Sequence, residues 1–384
     1  MSHPIVDIHT HVYPQSYIDM LRSRKTVPYV HDPASGAPSR LIILSSDDSE
    51  SIPLDQRGRP VDSSYSDINV KLAFMRRHGI TTSVVSLANP WLDFVEPEEA
   101  QIWAEKINDD LEATCAKVNT AADPDGVRAL HEKETLFAFG ALPLSAPSAD
   151  IVAQEIARLK TLPHLRGVIM GTSGLGKGLD DPGLDPIWKA LQDTDTLLFL
   201  HPHYGLPDEA FGGPEATDRY GHVLPLALGF PLETTIAVTR MLLAGVFDRF
   251  PRLKILLAHS GGTLPFLAGR IESCIAHERK FIANGGDTKG PSRSVWDVLK
   301  TNIYLDAVVY GKAGLKAAIH AAGGPDRLLF GTDHPFFPPL DGKEEEPWLS
   351  VTTNYKAIDA TLAGDTDSIK AVLGGNAVRI LDLK

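Results

Sequence analysis

Near its start the chain reads Val6-Asp7-Ile8-His9-Thr10-His11, an apolar run that ends in two histidines. We interpret Ile5 to Ile8 as a short strand, in which residues two positions apart point to the same face. His9 and His11 then project side by side, and two neutral imidazoles at this spacing form half of a divalent metal site. An isolated pair of this kind is more often an ordinary surface or core feature, so its interpretation depends on the rest of the chain.

Three further strand-like runs end in a metal-binding or catalytic type of residue. They are Leu197-Leu198-Phe199-Leu200-His201, Ile255-Leu256-Leu257-Ala258-His259 and Leu328-Leu329-Phe330-Gly331-Thr332-Asp333. Together with the first run they place a His or Asp at the end of four apolar strands. Such repetition indicates one common site at which the strand ends meet.

Strand-like and helix-like segments alternate along most of the chain. The strand candidates are 4–9, 82–88, 136–142, 166–170, 197–201, 254–259, 303–307 and 327–332. The helical patterns cover 66–78, 97–118, 149–160, 184–193, 232–247, 262–284, 312–321, 350–363 and 366–376. Continuous apolar strands are typical of a parallel sheet that is buried on both faces.

This alternation predicts an α/β fold, a (β/α)8 TIM barrel with extra C-terminal helices, as one domain over 1–384. A doubly wound sheet is the alternative. The barrel is favoured because polar residues end strands 1, 5, 6 and 8, and a closed barrel brings all strand ends to one face.

Residues 26–66 interrupt the alternation. The segment is polar and rich in Pro, Ser and Asp, with one short apolar strand at 41–44. It is too long for an ordinary loop, and long insertions of this kind are usually lids or binding loops. Because it follows the first strand, we predict a lid over the barrel mouth.

The composition is that of an ordinary globular enzyme, with 43% apolar and 22% charged residues among 384. A net charge of −12 argues against nucleic acid or an anionic membrane as the main partner. Cys115 and Cys274 are the two cysteines, too few for a disulfide framework. With no secretory signal visible, we predict a cytoplasmic protein. We expect no membrane span, because no window has enough uninterrupted apolar residues; the best candidate, Leu224 to Phe247, is broken by prolines and charges.

The predicted metal site joins three imidazoles and one carboxylate: His9, His11, His201 and Asp333. Such a set binds Zn²⁺, would also accept Mn²⁺, and leaves a position for water or substrate. We expect Asp306, on the strand at 303–307, to be a supporting or structural carboxylate. Asp7 shares the face of His9 and is predicted to orient an imidazole.

His259, followed by Ser260-Gly261-Gly262, has three possible roles. It is a fifth ligand, a base directed at a metal-bound water or at the substrate, or a structural histidine before a helix cap. Its position at a strand end favours the first two.

Other candidates lie near the predicted barrel mouth. Asn89 follows the second strand and offers both a donor and an acceptor to a substrate, although it is also a common turn residue. Arg59, in the insertion, is suited to bind a carboxylate, whereas most such arginines are simply solvated. Phe336 and Phe337 line an aromatic pocket or serve ordinary packing.

The run Gly171-Thr172-Ser173-Gly174-Leu175-Gly176-Lys177-Gly178 nearly matches a phosphate-binding P-loop. Gly178 occupies the position of the Mg²⁺-binding Ser or Thr, and no helix is predicted to start there, so we reject nucleotide binding. No lysine ends the fourth strand, which favours a single metal over a lysine-bridged pair.

At these residues the sequence resembles the amidohydrolase superfamily, in particular its aminocarboxymuconate-semialdehyde decarboxylase-like branch. The motifs are Asp7-Ile8-His9-Thr10-His11, Leu200-His201-Pro202-His203, Leu257-Ala258-His259-Ser260-Gly261-Gly262 and Phe330-Gly331-Thr332-Asp333-His334-Pro335. Longer runs are similar to fungal uracil-5-carboxylate (iso-orotate) decarboxylases: Ser86-Leu87-Ala88-Asn89-Pro90-Trp91, the glycine-rich run, and Gly331 to Pro339.

The resemblance implies decarboxylation of uracil-5-carboxylate in pyrimidine salvage, with one divalent ion, Zn²⁺ by expectation. Asp333 and His259 would serve the proton transfers, and Arg59, Asn89 and Phe336 would bind the small carboxylic acid substrate. A homo-oligomer, commonly a dimer, is also implied, with 232–247 as a candidate contact surface. The alternatives are a hydroxybenzoate decarboxylase such as one for γ-resorcylate, a mononuclear metal hydrolase on the same barrel, and a barrel with structural zinc.

Overall fold

The structure, a computed structural model, describes residues 3–120, 135–173, 175–278, 290–339 and 346–383. Its strands, in chain order, are β1 (Val6–Val12), β2 (Tyr29–His31), β3 (Ser39–Ile42), β4 (Arg59–Val61), β5 (Thr82–Leu87), β6 (Leu136–Ala141), β7 (Leu165–Gly171), β8 (Leu198–His201), β9 (Ile255–Leu257), β10 (Ile303–Asp306) and β11 (Leu328–Leu329). They form an eight-stranded sheet in the order β1-β5-β6-β7-β8-β9-β10-β11 and a three-stranded sheet in the order β2-β3-β4.

The eight-stranded sheet is parallel throughout, and its two ends meet. The Ile8 amide donates to Phe330 O at 3.1 Å, and a parallel bridge joins Thr10 to His334. Neighbouring strands are also consecutive along the chain, whereas a doubly wound sheet reverses its order at a switch point. The predicted (β/α)8 barrel is therefore confirmed, with a nearly closed sheet.

Burial explains why these runs form strands. Every residue of β5 and β6 is buried, as expected for strands that face the barrel interior on one side and helices on the other. The helices cover the outer surface with one apolar face each. In the helix over Asp185–Asp193, for example, Ile187, Trp188 and Leu191 are buried at helical spacing.

The helices, in chain order, are α1 (Gln15–Ser23), α2 (Ser63–Ser66), α3 (Ile68–His78), α4 (Ala100–Thr120), α5 (Ala149–Leu159), α6 (Asp185–Asp193), α7 (Pro214–Tyr220), α8 (Phe230–Leu243), α9 (Val246–Arg249), α10 (Leu264–His277), α11 (Val295–Thr301), α12 (Lys312–Ala322), α13 (Leu349–Thr361), α14 (Thr366–Lys370) and α15 (Asn376–Ile380). The predicted helix at 262–284 is confirmed as α10, and its residues 279–284 lie outside the described part of the chain. The predicted helix at 232–247 divides into α8 and α9, because Gly245 adopts a left-handed conformation between them.

The insertion at 26–66 contains its own small antiparallel sheet. The predicted strand at 41–44 begins two residues earlier, as β3, and pairs with both β2 and β4. Gly58, just before β4, has a φ of +57°, and a Cβ there would lie 2.1 Å from Leu41 O. Glycine is therefore required at this turn, and the turn sets the position of Arg59. That the insertion acts as a lid stays a prediction.

One helical stretch among the described residues, Pro225–Leu243, is long and apolar enough to cross a membrane by length and composition alone. The sequence-based expectation that no stretch is long and apolar enough to span a membrane is therefore wrong when length and composition alone are considered. Of this window, 44% is buried, and its longer part, α8, contacts α9 and α10.

Candidate metal centre and active site

The strand ends converge on one cluster of metal-binding side chains, as the sequence predicts. One potential ligand atom each from His9, His201, His259 and Asp333 lie within 4.8 Å of one another. His11 adjoins the cluster, with Nε2 at 3.5 Å from Asp333 Oδ1. The structure thus brings together all four predicted ligands and also His259.

The other ring nitrogen of three imidazoles is held by a fixed partner. His9 Nδ1 donates to Asp306 Oδ2 at 2.5 Å, and His201 Nδ1 donates to Pro202 O at 2.7 Å. His11 Nδ1 lies 3.0 Å from the Ser86 hydroxyl, which donates to Thr10 O and so accepts from the imidazole. The Nε2 atom of each ring faces the cluster, the arrangement found around protein-bound metals.

Asp306 is the supporting carboxylate of the site. Besides the His9 ring, it accepts from the backbone amides of His259, Ser260 and Val308 at 2.7–3.0 Å. It thereby fixes both an imidazole and the turn that carries His259, in agreement with the role expected from the sequence.

The prediction that Asp7 orients an imidazole is wrong. Both of its carboxylate oxygens accept from Thr332, one from the amide at 3.1 Å and one from the hydroxyl at 2.7 Å. The register of β1 against β5 is irregular between Asp7 and Thr10. Asp7 consequently joins the two ends of the barrel sheet rather than an imidazole.

Charge within the cluster favours a bound cation. Burial raises the pKa of Asp333, but His9 and hydrogen bonds from the neighbouring imidazoles outweigh it and hold that pKa well below its usual range. Burial lowers the pKa of His11 to about 4 and that of His201 well below its usual value, so both imidazoles are neutral. The cluster thus offers an anionic carboxylate and, at His11 and His201, neutral nitrogens, the protonation states that metal binding requires of these ligands.

Whether these residues fit a metal ion can be tested on the raised pKa of His9 and on buried ring nitrogens that lack a hydrogen-bond partner. Burial alone would lower the pKa of His9, yet Asp333 and Asp306 raise it to about 10, and a divalent cation would satisfy the same negative charge. Buried His11 Nε2 and His259 Nδ1 have no hydrogen-bond partner among the described residues. Buried polar atoms are normally paired, so the orphaned His11 nitrogen beside the cluster fits a ligand atom.

The backbone at the centre is strained. Asp333 has a φ of 60°, and His259 and Ser260 each have a φ of 53°. Non-glycine residues rarely adopt this conformation, which persists where surrounding contacts impose it and concentrates at functional sites. Here the Asp333 amide donates to His9 O at 2.7 Å, which fixes the carboxylate next to the His9 ring.

Arg59 extends from the insertion toward the metal cluster. Its Nη2 donates to the Tyr13 hydroxyl at 2.5 Å and to Asn89 O at 3.0 Å. The guanidinium carbon lies 5.1 Å from the centre of the Phe336 ring, which in turn lies 5.7 Å from the His11 ring. Arg59 Nε is buried without a hydrogen-bond partner in the described part of the chain, so a donor remains available for a ligand.

The predicted substrate residues divide into two groups. Asn89 and Phe336 lie with Arg59 at the site, although the Asn89 amide already donates to His203 O at 3.1 Å. One donor and one acceptor position of that amide remain, so contact with substrate stays a prediction. Phe337 is 42% exposed and faces Tyr310, so it does not line the same pocket.

Several residues at the site were missed from the sequence. Tyr13 is buried, comes directly after β1 at the spacing of His9 and His11, and could have been found from that spacing. Tyr65 stacks on Tyr13 with ring centres 5.6 Å apart, but it lies near the end of the insertion and carries no signal in the sequence. His203 contacts Trp91 and Asp93 beside the site, with Nε2 at 3.6 Å from Asp93 Oδ1.

The glycine-rich run is a loop, as predicted, although Gly174 lies outside the described residues. No helix begins at its end, which agrees with the rejection of a P-loop. A Cβ at Gly171 would lie 2.7 Å from His203 Nδ1, so glycine allows β7 to end against the His203 ring.

Replacing Asp306 with asparagine is expected to weaken metal binding by about 10- to 100-fold, the range typical for a lost partner of a metal-bound imidazole. Asparagine has one accepting oxygen where the carboxylate has two. It can therefore keep the donors on one side of Asp306, the His9 ring and the His259 amide or the Ser260 and Val308 amides, but not both pairs. Titration of the apoprotein with Zn²⁺ and Mn²⁺ against a chromogenic chelator measures the effect. Unchanged affinity would contradict the role assigned to Asp306.

Comparison with known proteins agrees with this geometry. The sequence profile described as amidohydrolase matches residues 6–383. The chain belongs to the amidohydrolase family. Among solved structures of this family, the fold is similar to that of Metarhizium anisopliae IDCase in its apo form. The two share 49% identity over 99% of this chain and 97% of the other, with a TM-score of 0.88.

Curated amidohydrolase relatives include two kinds of decarboxylase. The 2-amino-3-carboxymuconate-6-semialdehyde decarboxylase of Dictyostelium discoideum is 25% identical over 98% of this chain and 91% of its own length. The γ-resorcylate decarboxylase of Rhizobium radiobacter is 28% identical over 78% and 85%. A manganese-bound 5-carboxyvanillate decarboxylase of Novosphingobium aromaticivorans shares the fold, with a TM-score of 0.73, 20% identity and coverage of 100% and 97%.

Proposed function

We propose that this chain decarboxylates uracil-5-carboxylate (iso-orotate) to uracil and CO₂. The coarser assignment, a metal-dependent decarboxylase of the amidohydrolase superfamily, stands on the family match and on the decarboxylases among its full-length relatives. The observation that carries the proposal is the buried Arg59 guanidinium beside the metal cluster, because a decarboxylase needs a cation to hold the carboxylate. The similarity to IDCase, an iso-orotate decarboxylase, supports the choice of substrate.

The order of bond changes follows from the substrate. Loss of CO₂ from the flat ring would leave an in-plane carbanion at C5 that nothing stabilises. If C5 first accepts a proton, that carbon becomes tetrahedral and carries the carboxylate next to the C4 carbonyl. The C5–carboxylate bond then breaks, CO₂ leaves, and its electron pair returns to the ring, which regains the C5–C6 double bond.

The proposed roles follow the positions of the side chains. Asp333 takes up a proton as the substrate binds and passes it to C5, and His259 shares in the proton transfers, with its Nε2 at 3.7 Å from Asp333 Oδ2. Arg59 binds the carboxylate, Asn89 the polar edge of the ring, and Phe336 its face. His9, His11, His201 and Asp333 would hold the metal. When bound, the metal ion supplies a Lewis acid for charge on the C4 oxygen and the carboxylate.

Zn²⁺ is the proposed ion, with Mn²⁺ as the second choice, which is the ion in a related decarboxylase structure. We also place the reaction in pyrimidine salvage and the enzyme in the cytoplasm. A homodimer stays a prediction, and Ile236 in the candidate surface at 232–247 is 49% exposed.

Loss of ultraviolet absorbance from uracil-5-carboxylate, with uracil identified as product, tests the proposal. We expect turnover that stops on chelation and returns on addition of Zn²⁺ or Mn²⁺. A parallel panel holds γ-resorcylate and other hydroxybenzoates as well as lactones. Fully metallated protein that converts a hydroxybenzoate or a lactone and leaves uracil-5-carboxylate unchanged would overturn the substrate assignment.

A further inference from the structure

Lys71 is a fully buried amine close to the metal cluster and has no role in the proposed reaction. It lies on α3 with 1% of its surface exposed. Its Nζ donates to the Thr10 hydroxyl at 2.5 Å and lies 2.5 Å from His334 Nδ1. An amine donates hydrogen bonds whether or not it carries a charge, so Nδ1 of His334 is the acceptor.

Both partners of Lys71 adjoin proposed ligands. Thr10 lies between His9 and His11, and His334 follows Asp333. The Thr10 hydroxyl donates to His334 O at 3.2 Å, and the His11 amide donates to the same oxygen at 2.7 Å. Lys71 therefore contacts the point at which the two ends of the barrel sheet meet and where the ligands from both ends are aligned.

Packing alone does not explain a lysine here. Burial of an amine is costly unless its hydrogen bonds compensate, and a methionine or leucine would fill the space without that cost. No carboxylate within the described residues forms a hydrogen bond to Nζ, so no ion pair offsets the burial directly. What Lys71 provides beyond volume is a donor that links two side chains from opposite ends of the sheet.

We propose that Lys71 is a positioning residue of the metal centre, which aligns the His9–His11 pair with Asp333 by joining Thr10 to His334. This inference rests on the proposed metal-dependent function and deepens it. Lys71 acts through its two partners and contacts neither ligand atoms nor substrate.

Lys71→Met tests the inference, because it keeps the length of the side chain and removes the donor. We expect affinity for Zn²⁺ and Mn²⁺ to fall about 10- to 100-fold in a chelator competition, as for other residues that orient metal ligands. Circular dichroism and the unfolding midpoint of the apoprotein are measured on the same samples. Lys189→Met is the matched control, since Lys189 is exposed on α6, and wild-type affinity is expected there.

Thr10→Val is the second variant. Valine has nearly the same shape as threonine but lacks the hydroxyl that accepts from Lys71. If Lys71 acts through Thr10, the double variant binds metal no more weakly than the weaker single variant, because coupled effects do not add. If Lys71→Met does not fold, the metal affinity of Thr10→Val alone tests the inference. Folded variants that bind metal as the wild type does would overturn the inference. A wild-type protein that binds neither ion would instead overturn the proposed function, so the two failures are distinguishable.

Discussion

Asp333→Asn is expected to lower kcat for uracil-5-carboxylate by about 10³-fold, within the range that a proton-transferring group contributes. Asp333 is the one carboxylate in the four-residue cluster, and the surrounding imidazoles keep it anionic. Its removal takes away an anionic ligand and, with it, the carboxylate that would take up a proton and then pass it to C5. Metal content and steady-state turnover are measured on the same preparation.

Activity at saturating metal separates the two roles of Asp333. An excess of Zn²⁺ or Mn²⁺ compensates for a weakened ligand set, but it does not replace a group that transfers a proton. We therefore expect the loss in kcat to persist under full occupancy. Asp326→Asn, at an exposed position just before β11, is the control and should leave turnover unchanged. Near-wild-type turnover of the loaded Asp333→Asn protein would refute the proton-transfer role.

Arg59→Met is expected to raise KM for uracil-5-carboxylate by about 10- to 100-fold. Hydrogen bonds to charged groups contribute about 1.5–3 kcal/mol, which corresponds to this range. The guanidinium is the cation next to the Phe336 ring, and its Nε has no protein partner in the described chain. Steady-state kinetics give KM, and inhibition by uracil gives the affinity for a product that lacks the carboxylate.

Binding of uracil makes the Arg59 test specific. A residue that recognises the carboxylate affects the substrate far more than it affects uracil, whereas general damage to the pocket weakens both. Arg57→Met removes the same charge two residues earlier, where the guanidinium pairs with Asp48 at 2.8 Å, and should leave KM unchanged. An unchanged KM in Arg59→Met would contradict the proposed role in binding.

The ligand cluster could be predicted because it depends on two local rules. Side chains alternate along a strand, and the ends of parallel barrel strands lie at one face. His9, His11, His201 and Asp333 follow from these rules without knowledge of any contact. Which carboxylate supports the His9 ring does not follow from these rules, because it depends on the register of neighbouring strands in the sheet. Asp7 shares the face of His9, yet the irregular register of β1 leaves it with Thr332, and Asp306 takes the His9 ring.

Long-range partners explain what the sequence could not predict. A lysine within a helix is ordinarily a surface residue, and Lys71 is buried because an acceptor comes from His334, 263 positions along the chain. Arg59 resembles any other arginine in a polar insertion until Tyr13, 46 positions away, is placed beside it. Such contacts arise from closure of the barrel and from the fold of the insertion, which no local periodicity records.

The contact between the two ends of the barrel sheet also has a consequence for biosynthesis. Thr10 and His334, which join β1 to the segment after β11, are 324 positions apart. During synthesis from the N-terminus, the edge of β1 that pairs with this segment therefore stays unpaired until most of the chain has left the ribosome. Open strand edges invite pairing with other chains. A chain interrupted before Asp333 keeps His9, His201 and His259 and lacks the carboxylate, so full-strength metal binding at the proposed site would require synthesis to have passed that residue.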